Sequence, residues 1–331
     1  LQGAHADFCR ARARTGGNYG GLSRAVTWSL MQCGSSNMVC QPREAFVFTS
    51  RGNMDRRMKA LQGIDINTKL GLELGPLASP LVRRSDGAVL YADHATTEEL
   101  KTKYRNHGWD TGAIVDVDMV LGEQPINEQL GDRRVDYIVA SHVIEHVPDI
   151  VGWLNSLSDV LTPDGVISLV IPDKRFCFDA RRPLSTTGDL LEACIEKRKA
   201  PTTQQIFDFW SLYCGVDAQA IWGGVVSTES IPFSGTLENA FDHVKAARTS
   251  SAYSDIHCWV FTPASFLINM ANLSELGLVS LKIKSAIDTV ENDLEFFIKL
   301  EKVTSHDTPA DIVGNYRYWA NMMSNCPRAA I

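Results

Sequence analysis

Short apolar runs are the main pattern in the middle of the chain. Five of them have the length of a β-strand and lie at 69–75, 88–92, 113–118, 135–140 and 166–171. In most of these runs apolar residues follow one another without polar alternation, which is typical of strands covered on both faces of a parallel sheet. The first run ends at Gly75 in a turn, and we predict that it forms a central strand.

Helical patterns lie between these runs. Apolar residues recur at helical spacing over 150–161 after Pro148, and Thr96 followed by Glu99 resembles an N-terminal capping box. The connection at 80–85 predicts a short helix. Because parallel strands need such crossovers, the chain is predicted to be α/β, with a doubly wound Rossmann-like sheet.

The second half of the chain changes character. Residues 178–255 carry amphipathic helical segments at 189–198, 204–213 and 237–248, which predicts a helical insertion. A helix at 264–275 and two apolar runs at 278–284 and 294–300 follow, and the two runs are close enough to form an antiparallel hairpin. The predicted domains are an N-terminal helical cap, a cofactor-binding core, a substrate insertion or lid, a C-terminal helix with its hairpin, and a tail, at 1–64, 65–177, 178–255, 256–303 and 304–331.

Composition narrows the class of protein. The 331 residues are 44% hydrophobic with a net charge of −7, which suits a globular protein with a buried core and disfavours nucleic acid as a main partner. No apolar run is long enough to span a bilayer, and no signal-peptide pattern is present. The eight cysteines are scattered without metal-binding spacing, so we expect reduced thiols and a cytoplasmic protein. Because the chain begins at Leu1, we expect a trimmed chain or a piece of a longer one.

Polar residues follow the predicted strands where each strand ends. In an open α/β sheet these ends form the ligand-binding edge, so their joint placement predicts a site. Asp93 lies 20 positions after Glu73, the spacing expected of a carboxylate that accepts hydrogen bonds from ribose hydroxyls. Gly75 permits close approach of a ligand to the backbone, but the loop lacks the further glycines of a pyrophosphate cradle. A nucleoside ligand smaller than a dinucleotide is therefore favoured.

Four stretches together resemble the class I S-adenosylmethionine-dependent methyltransferases. They are Glu-Leu-Gly at 73–75, Asp93, Ser-His-Val-Ile-Glu-His-Val-Pro-Asp at 141–149 and Leu-Thr-Pro-Asp-Gly at 161–165. The resemblance implies a seven-stranded sheet whose last strand is antiparallel, and S-adenosylmethionine as the cofactor. The chain departs from the family at 76–79, where many members have more glycines.

The resemblance also implies roles for individual residues. Glu73 and Gly75 would hold the amino acid end of the cofactor, Asp93 its ribose and Asp118 its adenine amino group. Four neighbouring residues are assigned to the same site, namely Pro76, Met119, Ser141 and His142.

Transfer of a methyl group to a hydroxyl needs a base, since the hydroxyl must lose its proton. His142, just past the fourth strand, is the first candidate, with a turn-stabilising histidine as the alternative interpretation. His257 is the second candidate, from the far side of the pocket. His146 is interpreted as structural. A metal site formed by His142, Glu145 and His146 is disfavoured, because no partner carboxylate is evident and the spacing straddles a turn.

The residues that would bind the methyl acceptor are less clearly marked in the sequence than those that would bind the cofactor. Lys174 and Arg175 could bind an anionic group of the substrate, although ordinary solvated charges are the slightly favoured interpretation. Asp173 and Trp210 are assigned to the same substrate site. The runs at 171–176 and 257–263 resemble a subgroup associated loosely with glycan and small-metabolite modification.

Three functions follow from these patterns. We favour O-methylation of a small-molecule or glycan acceptor by a protein that could form a homodimer. A nicotinamide-dependent oxidoreductase is disfavoured by the missing glycines, and a non-catalytic nucleoside-binding module is the third alternative.

Overall fold

One mixed sheet organises the protein. The structure, a computed structural model, describes residues 54–106, 110–122, 124–249 and 254–324. The strands of the sheet are β1 Gly71–Leu74, β2 Val89–Asp93, β3 Met119–Val120, β4 Val135–Ser141, β5 Leu161–Pro172, β6 Leu281–Ile287 and β7 Glu295–Lys302. Their order is β3-β2-β1-β4-β5-β7-β6, and β7 runs antiparallel to both of its neighbours. The predicted seven-stranded sheet with a C-terminal hairpin is confirmed.

Helices connect and cover the strands. They are α1 Arg56–Leu61, α2 Thr97–Arg105, α3 Ile126–Leu130, α4 Ile150–Val160, α5 Thr187–Glu196, α6 Thr203–Ser211, α7 Ala218–Trp222, α8 Leu237–Thr249, α9 Pro263–Glu275 and α10 Pro309–Ser324. Four helices begin at a threonine whose hydroxyl caps a backbone amide while the side chain three residues on bonds back, at Thr96, Thr186, Thr202 and Thr262. The sequence therefore sets these helix starts locally.

Both faces of the sheet are buried, which explains the unbroken apolar runs. Leu72 and Leu74 of β1 belong to the larger core on one face. Between them, Glu73 lies beside Tyr91 and Val139 in the sheet, and these two residues belong to a smaller core that includes Ala60 of α1. Glu73 is thus a carboxylate on an apolar, fully covered face.

Two local predictions were wrong. The run at 113–118 is not a strand, because the Val115 amide bonds Leu77 and the Val117 amide bonds the Thr97 hydroxyl; β3 begins only at Met119. The segment at 80–85 is not a helix, since the amides of Leu81 and Val82 donate to the Glu73 carboxylate. In each case a tertiary hydrogen bond replaces the local one.

The ends of the chain differ in what the structure describes. Of the predicted N-terminal cap, residues 1–53 lie outside the described residues. The segment predicted as a tail contains α10, which packs on α9 and β6. The Asn315 side chain accepts a hydrogen bond from the Ile283 amide at 2.8 Å and donates one to the Ile283 carbonyl at 3.1 Å. The Tyr316 hydroxyl donates to the Leu281 carbonyl. In this way α10 covers the outer edge of β6.

Two observations bear on the cellular environment. Among the described residues, no helix combines the length and apolarity that a bilayer crossing requires. The four cysteines in the same residues, Cys177, Cys194, Cys214 and Cys258, are all unpaired. The predicted compartment stays a prediction.

Candidate active site

The loop after β1 turns sharply at its first residue. Gly75 has a φ of 64°, and its amide donates to the Ala92 carbonyl of β2. A Cβ at this position would lie 3.0 Å from the Val143 side chain, so both the conformation and the space favour glycine. Leu77 also has a positive φ, of 45°. Many family members have glycines at 76–79. In this chain Leu77 adopts a left-handed conformation in that stretch, at a cost in backbone strain.

Asp93, at the end of β2, has one oxygen bonded and one oxygen without a partner. Its Oδ1 accepts from the His94 amide at 2.8 Å and lies 2.7 Å from His94 Nδ1. Its Oδ2 is buried and has no hydrogen-bond partner among the described residues. Because a buried carboxylate oxygen without a partner is costly, Oδ2 is suited to accept a hydrogen bond from a ligand hydroxyl.

Glu73 lies only two residues from Gly75, but its carboxylate is committed to the protein. The two oxygens accept hydrogen bonds from the amides of Leu81, at 2.6 Å, and Val82, at 2.9 Å. Burial raises the pKa of Glu73 to about 7, against the opposing effect of these two amides. In the structure Glu73 anchors the loop between β1 and β2, and its contact with the cofactor stays a prediction.

The remaining residues assigned to the cofactor have mixed surroundings. Asp118 accepts hydrogen bonds from the Tyr91 amide, at 2.7 Å, and from Arg84, at 2.8 Å. Met119 is part of the larger core, and Pro76 is buried. Their contacts with the cofactor also stay predictions.

The residues assigned to the substrate bind one another or the nearby backbone. Asp173 is fully buried and accepts hydrogen bonds from the Arg175 guanidinium. Lys174 donates to the Ala180 carbonyl at 2.8 Å, and burial lowers the pKa of Lys174. Trp210 stacks on His243, with 3.8 Å between the ring centroids. These contacts hold the loop after β5 and the insertion, and a role in substrate binding stays a prediction.

His142 occupies a strained turn directly after β4. Its φ is 55°, and this left-handed conformation costs a non-glycine residue on the order of 1 kcal/mol. Its Nε2 lies 2.6 Å from Glu295 Oε2, and its Nδ1 lies 3.3 Å from Glu145 Oε1. Arg56 lies on the other side of Glu295, at 2.7 Å, and donates a hydrogen bond to Ser141. Carboxylates therefore face both ring nitrogens of His142.

Glu145 lies at the centre of three histidines. We call these four residues the Glu145 cluster: Glu145, His142, His146 and His257. Glu145 is completely buried, and neither carboxylate oxygen has a hydrogen-bond partner among the described residues. His257 Nε2 lies 3.8 Å from Glu145 Oε1, and the rings of His146 and His257 meet edge to face. The structure thus brings together the two predicted bases.

Two further carboxylates lie behind these histidines. Asp179 Oδ2 is 2.6 Å from His257 Nδ1, and its Oδ1 accepts a hydrogen bond from Arg182 at 2.7 Å. Asp255 Oδ1 is 3.0 Å from His146 Nδ1. Sequence reasoning missed both aspartates, because they lie at the two ends of the insertion and no motif marks them.

The charges within the cluster perturb one another. Burial alone would raise the pKa of Glu145, but the three histidines outweigh it and lower that pKa. For Asp179, burial is likewise outweighed by His257 and Arg182, which hold its pKa well below the usual range. The pKa of His146 is raised, since Asp255 and Glu145 outweigh the opposing effect of burial. The cluster therefore favours ionised Glu145 and Asp179 carboxylates, and it favours the protonated form of His146.

Comparison with known proteins identifies the family. Residues 92–266 match the family described as Methyltransferase domain, and this match covers more than half of the 331 residues. The chain belongs to this methyltransferase family. Its cofactor is S-adenosylmethionine, as the sequence resemblance implied. The methyltransferase has no match among curated proteins.

Several solved structures are similar to the chain at low identity. A structure of DhpI in complex with SAH is 14% identical, covers 74% of this chain and 82% of its own, and has a TM-score of 0.35. The CcbJ methyltransferase from Streptomyces caelestis is 11% identical over 75% and 94% of the two chains, with a TM-score of 0.38. A protein described as a Zn-dependent alcohol dehydrogenase from Rhodobacter sphaeroides is 10% identical over 75% and 89%, with a TM-score of 0.41.

The described residues of the methyltransferase fit its cofactor. The unpartnered Oδ2 of Asp93 matches a ribose hydroxyl, which is a hydrogen-bond donor. The glycine turn at Gly75 leaves no side chain at the end of β1, where the loop begins. Both features lie at the carboxyl edge of the strands, where open α/β sheets bind their ligands.

Proposed function

We propose that the methyltransferase transfers a methyl group to a hydroxyl oxygen of a small-molecule or sugar-like acceptor. The observation that carries this proposal is the Glu145 cluster, in which a buried carboxylate without hydrogen-bond partners lies among three histidines. A hydroxyl must lose its proton as it becomes a nucleophile, whereas a neutral amine does not need a base before it attacks. A buried group of histidines and carboxylates supplies what a hydroxyl acceptor requires.

The cofactor and the acceptor have separate requirements. S-adenosylmethionine supplies, when bound, a methyl group on a sulfonium sulfur that an oxygen nucleophile can displace in line. Asp93 would hold its ribose, and the turn at Gly75 would let the backbone approach it. The remaining work of the protein is to align the acceptor oxygen and to take up its proton.

The two histidines predicted as bases are not equivalent. Carboxylates face both ring nitrogens of His142, from Glu295 and Glu145, so neither nitrogen is left to face an acceptor hydroxyl. His257 has Asp179 at Nδ1, an arrangement that orients an imidazole, while its Nε2 is 3.8 Å from Glu145 and outside hydrogen-bond distance. This difference favours His257 over His142 as the proton acceptor.

Aromatic rings beside His257 support a small or sugar-like acceptor. The Phe178 and Phe209 ring centroids lie 4.7 Å and 6.0 Å from the His257 ring, and Tyr213 stacks on Phe178 at 5.0 Å. Flat apolar rings pack well against the C–H face of a sugar or against an aromatic alcohol. All three residues belong to the predicted insertion, whose role as a substrate domain stays a prediction.

The test is methyl transfer from isotope-labelled S-adenosylmethionine to a panel of acceptors. The panel contains sugars, sugar nucleotides and phenols, together with amines of similar size. We expect a labelled product only with hydroxyl acceptors, and we expect His257→Asn to lower kcat at least 100-fold with little change in KM. The exposed His306 offers a matched histidine control, His306→Ala, that should leave both constants unchanged.

Two outcomes would contradict the proposal. Methylation of amines alone would show that a proton acceptor for a hydroxyl is not needed. Binding of S-adenosylmethionine with no turnover of any acceptor would favour the non-catalytic module.

A further inference from the structure

Three side chains of the Glu145 cluster converge on one point. Glu145, His146 and His257 each have a ligating atom within 4.8 Å of those of the other two. Two imidazoles and one carboxylate form a common set of protein ligands for a divalent transition metal. We propose that these three residues bind such a metal ion.

The carboxylate of Glu145 is the independent observation that points to a ligand. It is completely buried, and both of its oxygens lack hydrogen-bond partners among the described residues. A buried ionised carboxylate is expensive unless it is paired or coordinates a metal. The separation of 3.8 Å between Glu145 Oε1 and His257 Nε2 is longer than a hydrogen bond and leaves room for an ion that both atoms coordinate.

The surroundings of the two histidines match those of metal-binding imidazoles. Asp179 lies at Nδ1 of His257, at 2.6 Å, and Asp255 lies at Nδ1 of His146, at 3.0 Å. A carboxylate behind the ring fixes the orientation of a ligating histidine and makes it a better donor. Asp179 is itself held by Arg182, so this support extends one residue further.

The ion pairs around the cluster also have a net negative charge, which favours a bound cation. Four carboxylates face three permanently cationic side chains, namely Glu145, Asp179, Asp255 and Glu295 against Arg56, Arg182 and Lys103. With neutral histidines the sum is −1. A divalent ion would change it to +1, which favours an anionic oxygen as a further ligand. A proton on one histidine is the competing way to balance the charge.

The ligand set indicates the kind of metal. Imidazoles suit Zn²⁺ and Fe²⁺, whereas Mg²⁺ and Ca²⁺ prefer sites made of oxygen ligands alone. Three protein ligands leave a coordination position open, as in catalytic sites. If the proposed function holds, the acceptor hydroxyl would occupy that position with its pKa lowered by the ion. His257 would then bind the ion, and the proton released by the acceptor hydroxyl would pass to solvent.

The test begins with the whole chain freed of metal by a chelator and titrated with Zn²⁺ by calorimetry. We expect one ion per chain with a Kd in the micromolar range or tighter. Co²⁺, added as a spectroscopic probe, should give visible absorption bands of a site with nitrogen and oxygen ligands. Glu145→Gln keeps the size of the side chain but removes the anionic ligand, so Zn²⁺ binding should weaken at least 10-fold.

Folding is controlled separately. The circular dichroism and the affinity of Glu145→Gln for S-adenosylmethionine should match those of the wild type, and His257→Asn serves as a second variant with the same expected loss of Zn²⁺. The control His306→Ala should bind Zn²⁺ like the wild type. Absence of Zn²⁺ binding by the folded wild type, or unchanged binding by both cluster variants, would overturn the metal site.

The same protein separates this inference from the proposed function. Chelator-treated methyltransferase that binds no Zn²⁺ yet methylates a hydroxyl at full rate would overturn the metal site and support O-methylation. Protein that binds Zn²⁺ through Glu145 but methylates amines alone would support the metal site and overturn O-methylation.

Discussion

Two buried glutamates near this edge of the sheet differ in the partners of their carboxylates. Glu73 lies in β1, and Glu145 lies in the turn after β4, and each is at most 2% exposed. Both oxygens of Glu73 accept backbone amides, whereas neither oxygen of Glu145 has a hydrogen-bond partner in the described part of the chain. The pKa of Glu73 is raised to about 7 by burial, whereas the histidines around Glu145 lower its pKa despite complete burial.

The comparison shows that burial alone does not identify a functional carboxylate. Glu73 completes the hydrogen bonding of a loop, so its removal should affect folding. The carboxylate of Glu145 has no hydrogen-bond partner among the described residues, so the presence of a charge at this position is explained by a ligand or a proton that it holds. The partners of a buried charge, and not its depth, distinguish the two roles.

The largest expected effect is on the stability of a Glu73→Ala variant. This change leaves the buried amides of Leu81 and Val82 without acceptors, and each unsatisfied donor costs roughly 1–3 kcal/mol. We expect the free energy of unfolding, measured by urea denaturation, to fall by about 4 kcal/mol. A loss below about 1 kcal/mol would show that the loop does not depend on this anchor.

The pH dependence of stability tests the same residue without removing its side chain. Because the folded-state pKa of Glu73 is about 7 and its ordinary value is 4.5, the folded protein holds the proton more tightly than the unfolded chain. The resulting stability is fully present below pH 4.5 and is lost as the pH rises through 7, by about 3 kcal/mol. We therefore expect the difference in unfolding free energy between wild type and Glu73→Gln to change by that amount between pH 4.5 and pH 8. A constant difference would contradict the raised pKa.

Asp93 extends the comparison to a carboxylate with one bonded oxygen and one open oxygen. In Asp93→Asn, a ribose hydroxyl would lose a charged acceptor, while the bond to the His94 amide can be kept. We expect the Kd for S-adenosylmethionine, measured by calorimetry, to rise about 10- to 100-fold, since hydrogen bonds to charged groups contribute roughly 1.5–3 kcal/mol. The free energy of unfolding should stay within about 0.5 kcal/mol of the wild type. Unchanged affinity would remove Asp93 from the cofactor site.

The smallest expected effect is on the stability of Glu145→Gln. Because the histidines lower the pKa of this carboxylate in the folded protein, its loss should reduce the free energy of unfolding. The carboxylate makes no hydrogen bond that the fold would lose, so we expect the reduction to be less than about 1 kcal/mol. Urea denaturation in the presence of a chelator measures this change without a contribution from bound metal. A loss as large as that of Glu73→Ala would make Glu145 a structural residue and would end the contrast between the two glutamates.

The sequence predicted the sheet better than its loops. Most of the apolar runs, the capping box at Thr96 and the two C-terminal runs depend on neighbouring residues, and the structure contains the corresponding elements. The wrong strand was predicted at 113–118 and the wrong helix at 80–85. In both segments, backbone amides donate hydrogen bonds to groups outside the segment. The spacing of apolar residues along the sequence does not reveal such hydrogen-bond partners.

The candidate site was predictable only in part. His142 and Asp93 follow strands, so their position at the edge of the sheet could be inferred from the sequence. Asp179 and Asp255 become partners of the cluster only when the insertion folds against the loop after β4. The metal site considered from the sequence was disfavoured because no partner carboxylate was evident. In the structure, Glu145 and His146 are joined by His257, which lies 112 positions from Glu145 and could not be linked to it from the sequence.

The contact between α10 and β6 has a consequence for self-association. An exposed edge strand invites pairing with another chain, and the Asn315 amide occupies both backbone groups of Ile283 in the middle of that edge. A homodimer formed by joining two sheets across β6 would first have to displace Asn315. Removal of residues 309–331 should therefore leave the backbone groups of β6 open to pairing and promote aggregation. In this way α10 protects the edge of the sheet from self-association.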